Sequence, residues 1–482
     1  MVFSIYILIV FGFGIYSYFH TSSIKDYMLG GRSLGHVMTG LGVGVADMSS
    51  WLLLALPGTV MLNGLNRIWL PMSLVLGSFL NWHFVSKRLR VYTEILDDSI
   101  TIPSYLEKRF DDFSGTLRFI TSFIILVFFI FYVASSFVAG GLLFGNIFEI
   151  DYISGVYLTS MIIVSYIVFG GLLAISWVDF FQGLLMFFSI LIVPIILFNK
   201  MYSERIFSIS THFHASFFSF RPKNYLEFLS SLAWGLGYFG QPHILIRFMA
   251  TKSPNKINLA KYVCTSWMFL SLLGALATGL LGRLYYINSI QFDPETIFIL
   301  LARELFNPWL TGILFVAIFS AIMSSASAQL IASSSALVED LYHKFLRPKA
   351  KGQELVRVSR AILLLVTIIS VLLARDVNGS ILDLVGYAWA GLGSSIGPTI
   401  LISLFWGQMN KYGAVAGIIS GSTFVLSWPY LCKYFKIANF YSLLPSFIFS
   451  CFSIIVVNTL TRKKRYNIPK HFLRFRTRFN KN

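Results

Sequence analysis

Apolar runs of about 17–25 residues recur along nearly the whole of this 482-residue chain, with little charge inside them. In a bilayer every backbone amide and carbonyl has to be paired within the protein, which leaves helices or a closed barrel. Runs this long exceed the strands of a barrel, so each predicts a membrane helix. We place thirteen of them, near 2–19, 36–62, 68–86, 119–144, 152–169, 173–198, 226–246, 262–282, 308–338, 361–374, 381–405, 412–431 and 439–460. Charged residues make up only 12% of the chain, against about 25% in soluble proteins, so the fold class is an all-α polytopic membrane protein. The first run, Val2–Phe19, has no basic leader and no small-residue cleavage site, so it reads as a retained span. The fifth and sixth runs are split only by Gly170-Gly171, a tight connection.

The net charge of +17 collects in short connections and at the C-terminus, which suits membrane topology rather than nucleic acid. An external N-terminus and an internal C-terminus put 28 of the 38 Lys and Arg on the inner side. The 199–225 connection, with Lys200, Arg205, Arg221 and Lys223, runs against that trend. We expect one transmembrane domain, 1–460, and a basic tail, 461–482, that anchors topology; contact with anionic lipid is the other reading. Cys264, Cys432 and Cys451 are far apart, the pattern of neither a disulfide framework nor a zinc site. His212-Phe213-His214 lacks a third metal ligand nearby, and no HExxH or Walker sequence occurs. Nothing here reads as an enzyme.

Three polar stretches break the apolar pattern. The first is Val45-Ala46-Asp47-Met48-Ser49-Ser50-Trp51 in the second run, followed by Pro57-Gly58. A carboxylate at mid-membrane costs about 2.5–3.5 kcal/mol on insertion scales, so it marks function. The flanking Gly44 and Pro57-Gly58 permit unwinding, which frees backbone carbonyls toward a cavity or an ion. The second stretch is Ala321 to Gln329 in the ninth run, where Ala321, Ser324 and Ser325 share one helical face. Hydroxyls with a carbonyl one turn earlier suit a hard monovalent cation, whereas the bland reading is small residues letting helices pack closely. The third is Trp234 to His243, where Trp234, Tyr238 and Pro242 follow one another at single-turn spacing if the helix runs unbroken. Three glycines and a proline predict a break there, leaving an aromatic wall beside free backbone groups; an interfacial aromatic belt is the other reading.

In order along the chain, these stretches and several others resemble the solute:sodium symporter family, closest to its bacterial sodium/proline branch. The matching residues are Tyr27-Met28-Leu29-Gly30-Gly31-Arg32-Ser33-Leu34, Asp47-Met48-Ser49 with Trp51, Leu56-Pro57-Gly58, Arg88-Leu89-Arg90, Gly170-Gly171-Leu172, Trp234 to His243, and Tyr387-Ala388-Trp389-Ala390-Gly391. The resemblance implies a leucine-transporter-like (LeuT-like) core of two inverted five-helix repeats, about 36–198 and 226–405, each beginning with an interrupted helix. It implies Na⁺ held by the carbonyls of Val45, Met48 and Ala321 and the hydroxyls of Ser324 and Ser325, supported by Asp47. It implies a solute pocket lined by Trp51, Tyr132, Trp234, Tyr238 and Pro242 with Ser49 and Ser50 close by, and a coupling or gating role for Asp179, for which the sequence shows no ion-pair partner. Ser50 stands where that branch has Gly, and Ser325 where it has Thr; Gln408 replaces a usual basic residue.

The activity implied is Na⁺-coupled uptake of L-proline by a monomer in a bacterial inner membrane, with no cofactor besides the coupling ion. Ser50 keeps open another solute, such as pantothenate, a different amino acid or a sugar. A solute sensor would need a separate signalling partner, because only about twenty residues follow the last span. An ion channel would conduct Na⁺ without solute, which two broken helices meeting at mid-membrane suit poorly.

Overall fold

The computed structural model describes residues 1–20, 34–204, 215–222, 224–286, 292–375, 381–436, 440–461 and 468–481. The Tyr27–Ser33 part of the family-like stretch and the pair His212 and His214 lie outside them. The chain is helical throughout the described residues, in the order α1 (Val2–His20), α2 (His36–Asp47), α3 (Ser50–Leu53), α4 (Ala55–Asn63), α5 (Trp69–Asn81), α6 (Lys87–Ile95) and α7 (Ile102–Arg109). Then follow α8 (Thr116–Phe148), α9 (Tyr152–Ser203), α10 (Tyr225–Ala233), α11 (Pro242–Ala250), α12 (Ile257–Tyr285) and α13 (Ile297–Leu305). The last are α14 (Pro308–Ser335), α15 (Gly352–Ala374), α16 (Ile381–Phe405), α17 (Lys411–Phe435), α18 (Leu443–Thr461) and α19 (Lys470–Lys481).

Among the described residues nine helices are long and apolar enough to cross a membrane. The expected total of thirteen is not established by that measure: the first and fifth runs count only as the shorter apolar helices Val2–Ile15 and Tyr152–Val168, the end of the second run merges with the third in one stretch, Ser50–Ile95, and the seventh is broken into short pieces. The run α9 is assigned as helix through 52 residues, which laid straight would extend about 78 Å, far beyond a bilayer. Yet Asn146, just before it, accepts a hydrogen bond from Arg303, while Lys200 at its far end lies 3.7 Å from Glu304. Both ends therefore meet α13, and the run doubles back between its apolar halves, as two expected spans joined near Gly170-Gly171 require.

The burial pattern is that of a lipid-facing bundle. Leu364, Leu365, Ile368 and Leu372 of α15 and Phe449 and Phe452 of α18 are exposed, while α14 buries Ser320, Ser324, Ser325, Ser327, Ser333 and Ser334. Several of those serines donate back to carbonyls three or four residues earlier, which satisfies a hydroxyl without a partner helix. Helix starts are capped by side chains, Asn224 on the Glu227 amide, Asn307 on Leu310 and Asn410 on Gly413.

The tail is more than a string of charges. In α19, Phe475 stacks on Tyr92 at 4.4 Å, His471 Nδ1 lies 2.8 Å from the Tyr92 hydroxyl, and Arg478 pairs with Glu94 at 2.5 Å. Phe472 and Phe475 of its apolar face are buried against the protein, while Leu473, Arg474 and Arg476 remain exposed.

Candidate functional site

The second apolar run breaks between α2 and α3, and the hydrogen bonds show what the break releases. In a continuous helix the Ser49 amide would serve Val45 O, and the Leu52 amide would serve Met48 O. Here Ser49 N bonds Asp47 O at 3.0 Å and Leu52 N bonds Ser49 O at 3.1 Å. The Val45 and Met48 carbonyls thus lose their helical donors, and these are the two backbone oxygens the resemblance implies for Na⁺. The helix α14 packs against α2 and α3. On α14, the Ser324 hydroxyl is buried without a hydrogen-bond partner, and Ser325 Oγ turns back onto Ala321 O at 3.0 Å. A cation here would find Ser324 free and would draw Ser325 and Ala321 off each other. All five donors are oxygens, the set a hard cation prefers.

Asp47 is buried, and its Oδ2 accepts from the Tyr238 hydroxyl; the Trp51 indole donates to Asp47 O at 3.3 Å. Tyr238 therefore joins the first broken helix to the second, rather than simply lining a pocket. The second break is a 3₁₀ turn, Trp234–Gly240, followed by extended Gln241 and then Pro242 at the first position of α11. Tyr238 is held from two sides, by Asn81 donating to its carbonyl at 2.9 Å and by the Trp389 ring edge-on at 5.0 Å. Gly237 is needed for that fit, since a Cβ there would lie 1.9 Å from Trp389 Nε1.

Buried polar atoms without partners are uncommon in native proteins, and each calls for an explanation. Around the two breaks they include Ser49 Oγ, Ser50 Oγ, Tyr132 OH, Gln241 Oε1 and both ring nitrogens of His243. Tyr132 stands edge-on to His243 at 6.0 Å, next to Pro242. These orphaned groups outline a polar patch between the two breaks that a small solute with donors and acceptors would satisfy. Trp234 is elsewhere. It is half-buried and stacks on Tyr441 at 4.8 Å and 16°, and its carbonyl accepts from Trp389 Nε1 at 2.9 Å.

Asp179 has the partner that the sequence did not show. Its Oδ2 lies 2.5 Å from Arg247 Nη2, with both side chains buried, while Asp179 Oδ1 and Ser324 Oγ are neighbours that close no hydrogen bond. Arg247 sits on α11 and reaches past Gly42 of α2, where a Cβ would lie 2.6 Å from Nη1. Sequence reasoning missed Arg247, Trp389, Gln241 and His243. A cation in a continuing apolar stretch carries the same signal as Asp47, but the seventh run was drawn only to 246, one residue short of Arg247 and of the Phe248-Met249-Ala250 that follows it.

Set beside known proteins, the chain matches the model of the sodium:solute symporter family over residues 27–421. It is 45% identical to the high-affinity proline transporter PutP of Bacillus subtilis (strain 168), covering 95% of this chain and 97% of that one. It is 39% identical to the sodium/proline symporter of Escherichia coli (strain K12), covering 98% and 94%. Among solved structures it resembles a Na⁺-coupled sialic acid symporter in a substrate-bound outward-open state, with a TM-score of 0.80 at 20% identity over 95% of this chain and 96% of that one. That likeness shows the leucine-transporter-like bundle expected from the sequence.

Proposed function

The chain belongs to the sodium:solute symporter family, and on that premise we propose that it couples inward movement of Na⁺ to uptake of L-proline. The family is one of transporters and the chain is a multi-pass membrane protein. Full-length likeness to relatives named for proline transport supports the solute. The observation that carries the coupling is the pair of released carbonyls, Val45 and Met48, on a helix that packs against Ser324 and Ser325. In our reading Na⁺ enters that oxygen set and fixes the α2–α3 break in one geometry. Proline then docks among Ser49, Ser50, Trp51, Tyr132, Tyr238 and Pro242, its carboxylate toward a half-helix N-terminus and its ammonium toward free carbonyls.

The two inverted repeats, 36–198 and 226–405, would then rock about the site. Each inward charge gains about 2.3 kcal/mol per 100 mV, roughly a 50-fold accumulation before the Na⁺ gradient is counted. No bond is made or broken, and the reading calls for no cofactor. A monomer in a bacterial inner membrane, N-terminus outside and C-terminus inside, completes it.

A second reading keeps the mechanism and changes the solute, favoured by the unpartnered Ser50 hydroxyl beside the site. The test is radiolabelled L-proline uptake into proteoliposomes with and without an inward Na⁺ gradient. Gradient-dependent uptake supports the proposal. Absent proline uptake, with Na⁺ still shielding a cysteine at Val45 from labelling, moves the reading to another solute; no Na⁺ effect of either kind overturns it.

A further inference from the structure

Lysines collect at one end of α12 without a counter-charge. Lys252, Lys256 and Lys261 fall in its approach and first two turns, and no Asp or Glu occurs from Thr251 to Tyr285. A helix N-terminus carries partial positive charge, so cations there oppose the macrodipole, and no side chain caps this start. Lys261 is the clearest case. It is 5% exposed, and among the described residues its ammonium has neither a carboxylate nor a hydrogen-bond acceptor. It meets two ring faces instead, Phe79 of α5 at 5.0 Å and its neighbour Tyr262 at 4.8 Å. Rings attract the charge but offer no lone pair to its three N–H donors. The facing element brings no acid either. From Trp69 to Thr93, through α5 and the π-helical turn Trp82–Ser86, there is no Asp or Glu, and Glu94 is already held by Arg90 at 2.8 Å and Arg478 at 2.5 Å.

This groove lies where the two helices leave the apolar zone, since α5 runs on into Lys87-Arg88 and the apolar part of α12 begins at Tyr262. It faces lipid, with Leu76 of α5 and Leu259 and Tyr262 of α12 exposed, and exposed His83 stacked on Phe79 at 6.2 Å and 7°. Basic pockets between membrane helices at headgroup depth are built for acidic lipid. We propose that the groove between α5 and the start of α12 is a binding site for an anionic phospholipid headgroup, its phosphate on the Lys261 ammonium and Lys252 and Lys256 at the rim. Lysines with no acid among them call for net negative charge, which a zwitterionic headgroup does not bring. With the C-terminus inside, as proposed above, the site faces the inner leaflet. Its occupant bears on transport through α2. Gly40 of α2 lies so close to α12 that a Cβ would stand 2.5 Å from Ala260 O, and one turn on Gly44 meets Trp267 and Cys264. A headgroup that fixes Lys261 therefore steadies the surface on which the first broken helix rests.

The test titrates dioleoyl phosphatidylglycerol into the purified full-length protein in a non-ionic detergent and counts bound lipid by native mass spectrometry. This arm does not depend on the proline reading. Saturable binding is expected, weakened about fivefold by Lys261→Met and less than about twofold by Lys261→Arg, which keeps the charge. Arg476→Gln removes the same charge from the exposed face of α19 and should change binding less than about twofold. Phosphatidylglycerol should raise the thermal transition of the parent and of Lys261→Arg but not of Lys261→Met. In phosphatidylcholine alone Lys261→Met should melt no lower than the parent, because it has lost an unpaired charge. Binding that falls as far with Arg476→Gln as with Lys261→Met is attraction to net charge and overturns the site. A phosphatidylglycerol response that Lys261→Met retains overturns it too, as does a lower transition of that variant in phosphatidylcholine, which would make the lysine a packing element. In proteoliposomes, adding about 30% phosphatidylglycerol to phosphatidylcholine should raise Na⁺-driven proline uptake about threefold in the parent and in Lys261→Arg, and less than about 1.5-fold in Lys261→Met. An equal rise in all of them overturns the link to α2.

Discussion

The two breaks differ in what they expose. Between α2 and α3 only Met48 and Ser49 leave the helix, and the redirected amides of Ser49 and Leu52 release backbone oxygens beside buried hydroxyls. Between α10 and α11 seven residues tighten into a 3₁₀ turn, and what emerges is aromatic edges pressed against α16. One break makes an oxygen lining suited to an ion, the other a shaped wall suited to a solute. Tyr238 to Asp47 is the hydrogen bond that joins them. A transporter needs both chemistries and a link between them, and the division of labour follows from how each helix is interrupted.

The largest effect should come from breaking that link. Asp47→Asn removes the buried carboxylate and should lower Na⁺-driven proline uptake about 100-fold, and Tyr238→Phe about tenfold, the worth of hydrogen bonds to a buried charge. Because both act through one contact, the double variant should fall no further than Asp47→Asn alone. Losses that simply multiply would mean the two breaks work independently.

Next comes the pair that ties α11 to α9 behind the first break. Arg247→Met leaves Asp179 charged, buried and unpaired, and should cost about 3–5 kcal/mol of stability, read as an early thermal transition in detergent. Adding Asp179→Asn removes that charge, so the double variant should recover most of the stability without recovering transport. Recovery of both would reduce the pair to scaffolding. Smaller again, Ser324→Ala should weaken half-saturation by Na⁺ about tenfold and leave the maximal rate at high Na⁺ nearly intact, because it deletes one oxygen from the ion side alone. A matching loss in proline affinity at saturating Na⁺ would blur the distinction between the breaks.

The existence of both breaks was legible in the sequence, since glycine and proline inside an apolar run, beside Asp47 or beside Trp234, have few other uses in a membrane. Where the side chains point was not. Trp234 and Tyr238 were expected on one face, about 40° apart at 3.6 residues per turn. In a 3₁₀ turn, four residues span about 480°, so the two diverge by about 120°, and Trp234 turns to Tyr441 while Tyr238 turns to Asp47. The change of helix type is set by packing against Trp389, which lies about 150 positions away in the chain. The pairing of Arg247 with Asp179 escaped for the same reason, since the two are 68 residues apart and no local pattern joins them. Carbonyls such as Val45 and Met48 cannot be read from side-chain type at all, and only the resemblance pointed to them.

The smallest effect, and the sharpest question about the solute, belongs to Ser50. It opens α3, its hydroxyl is buried without a partner, and it stands on the ion side of the comparison with its side chain among the orphaned groups of the solute side. If proline is the solute and Ser50 only borders it, Ser50→Gly removes an unsatisfied hydroxyl. The gain is set against added backbone freedom in the first turn of a short helix. Those terms oppose each other, so KM for proline should move less than about threefold, with Na⁺ dependence unchanged. If the hydroxyl instead reads a polar group on a different solute, the same substitution should improve proline uptake and abolish that of the other compound. The test is a panel of competing solutes run on both proteins, because a site built to bond a hydroxyl or amine rejects the analogue lacking it far more strongly than a bordering group could.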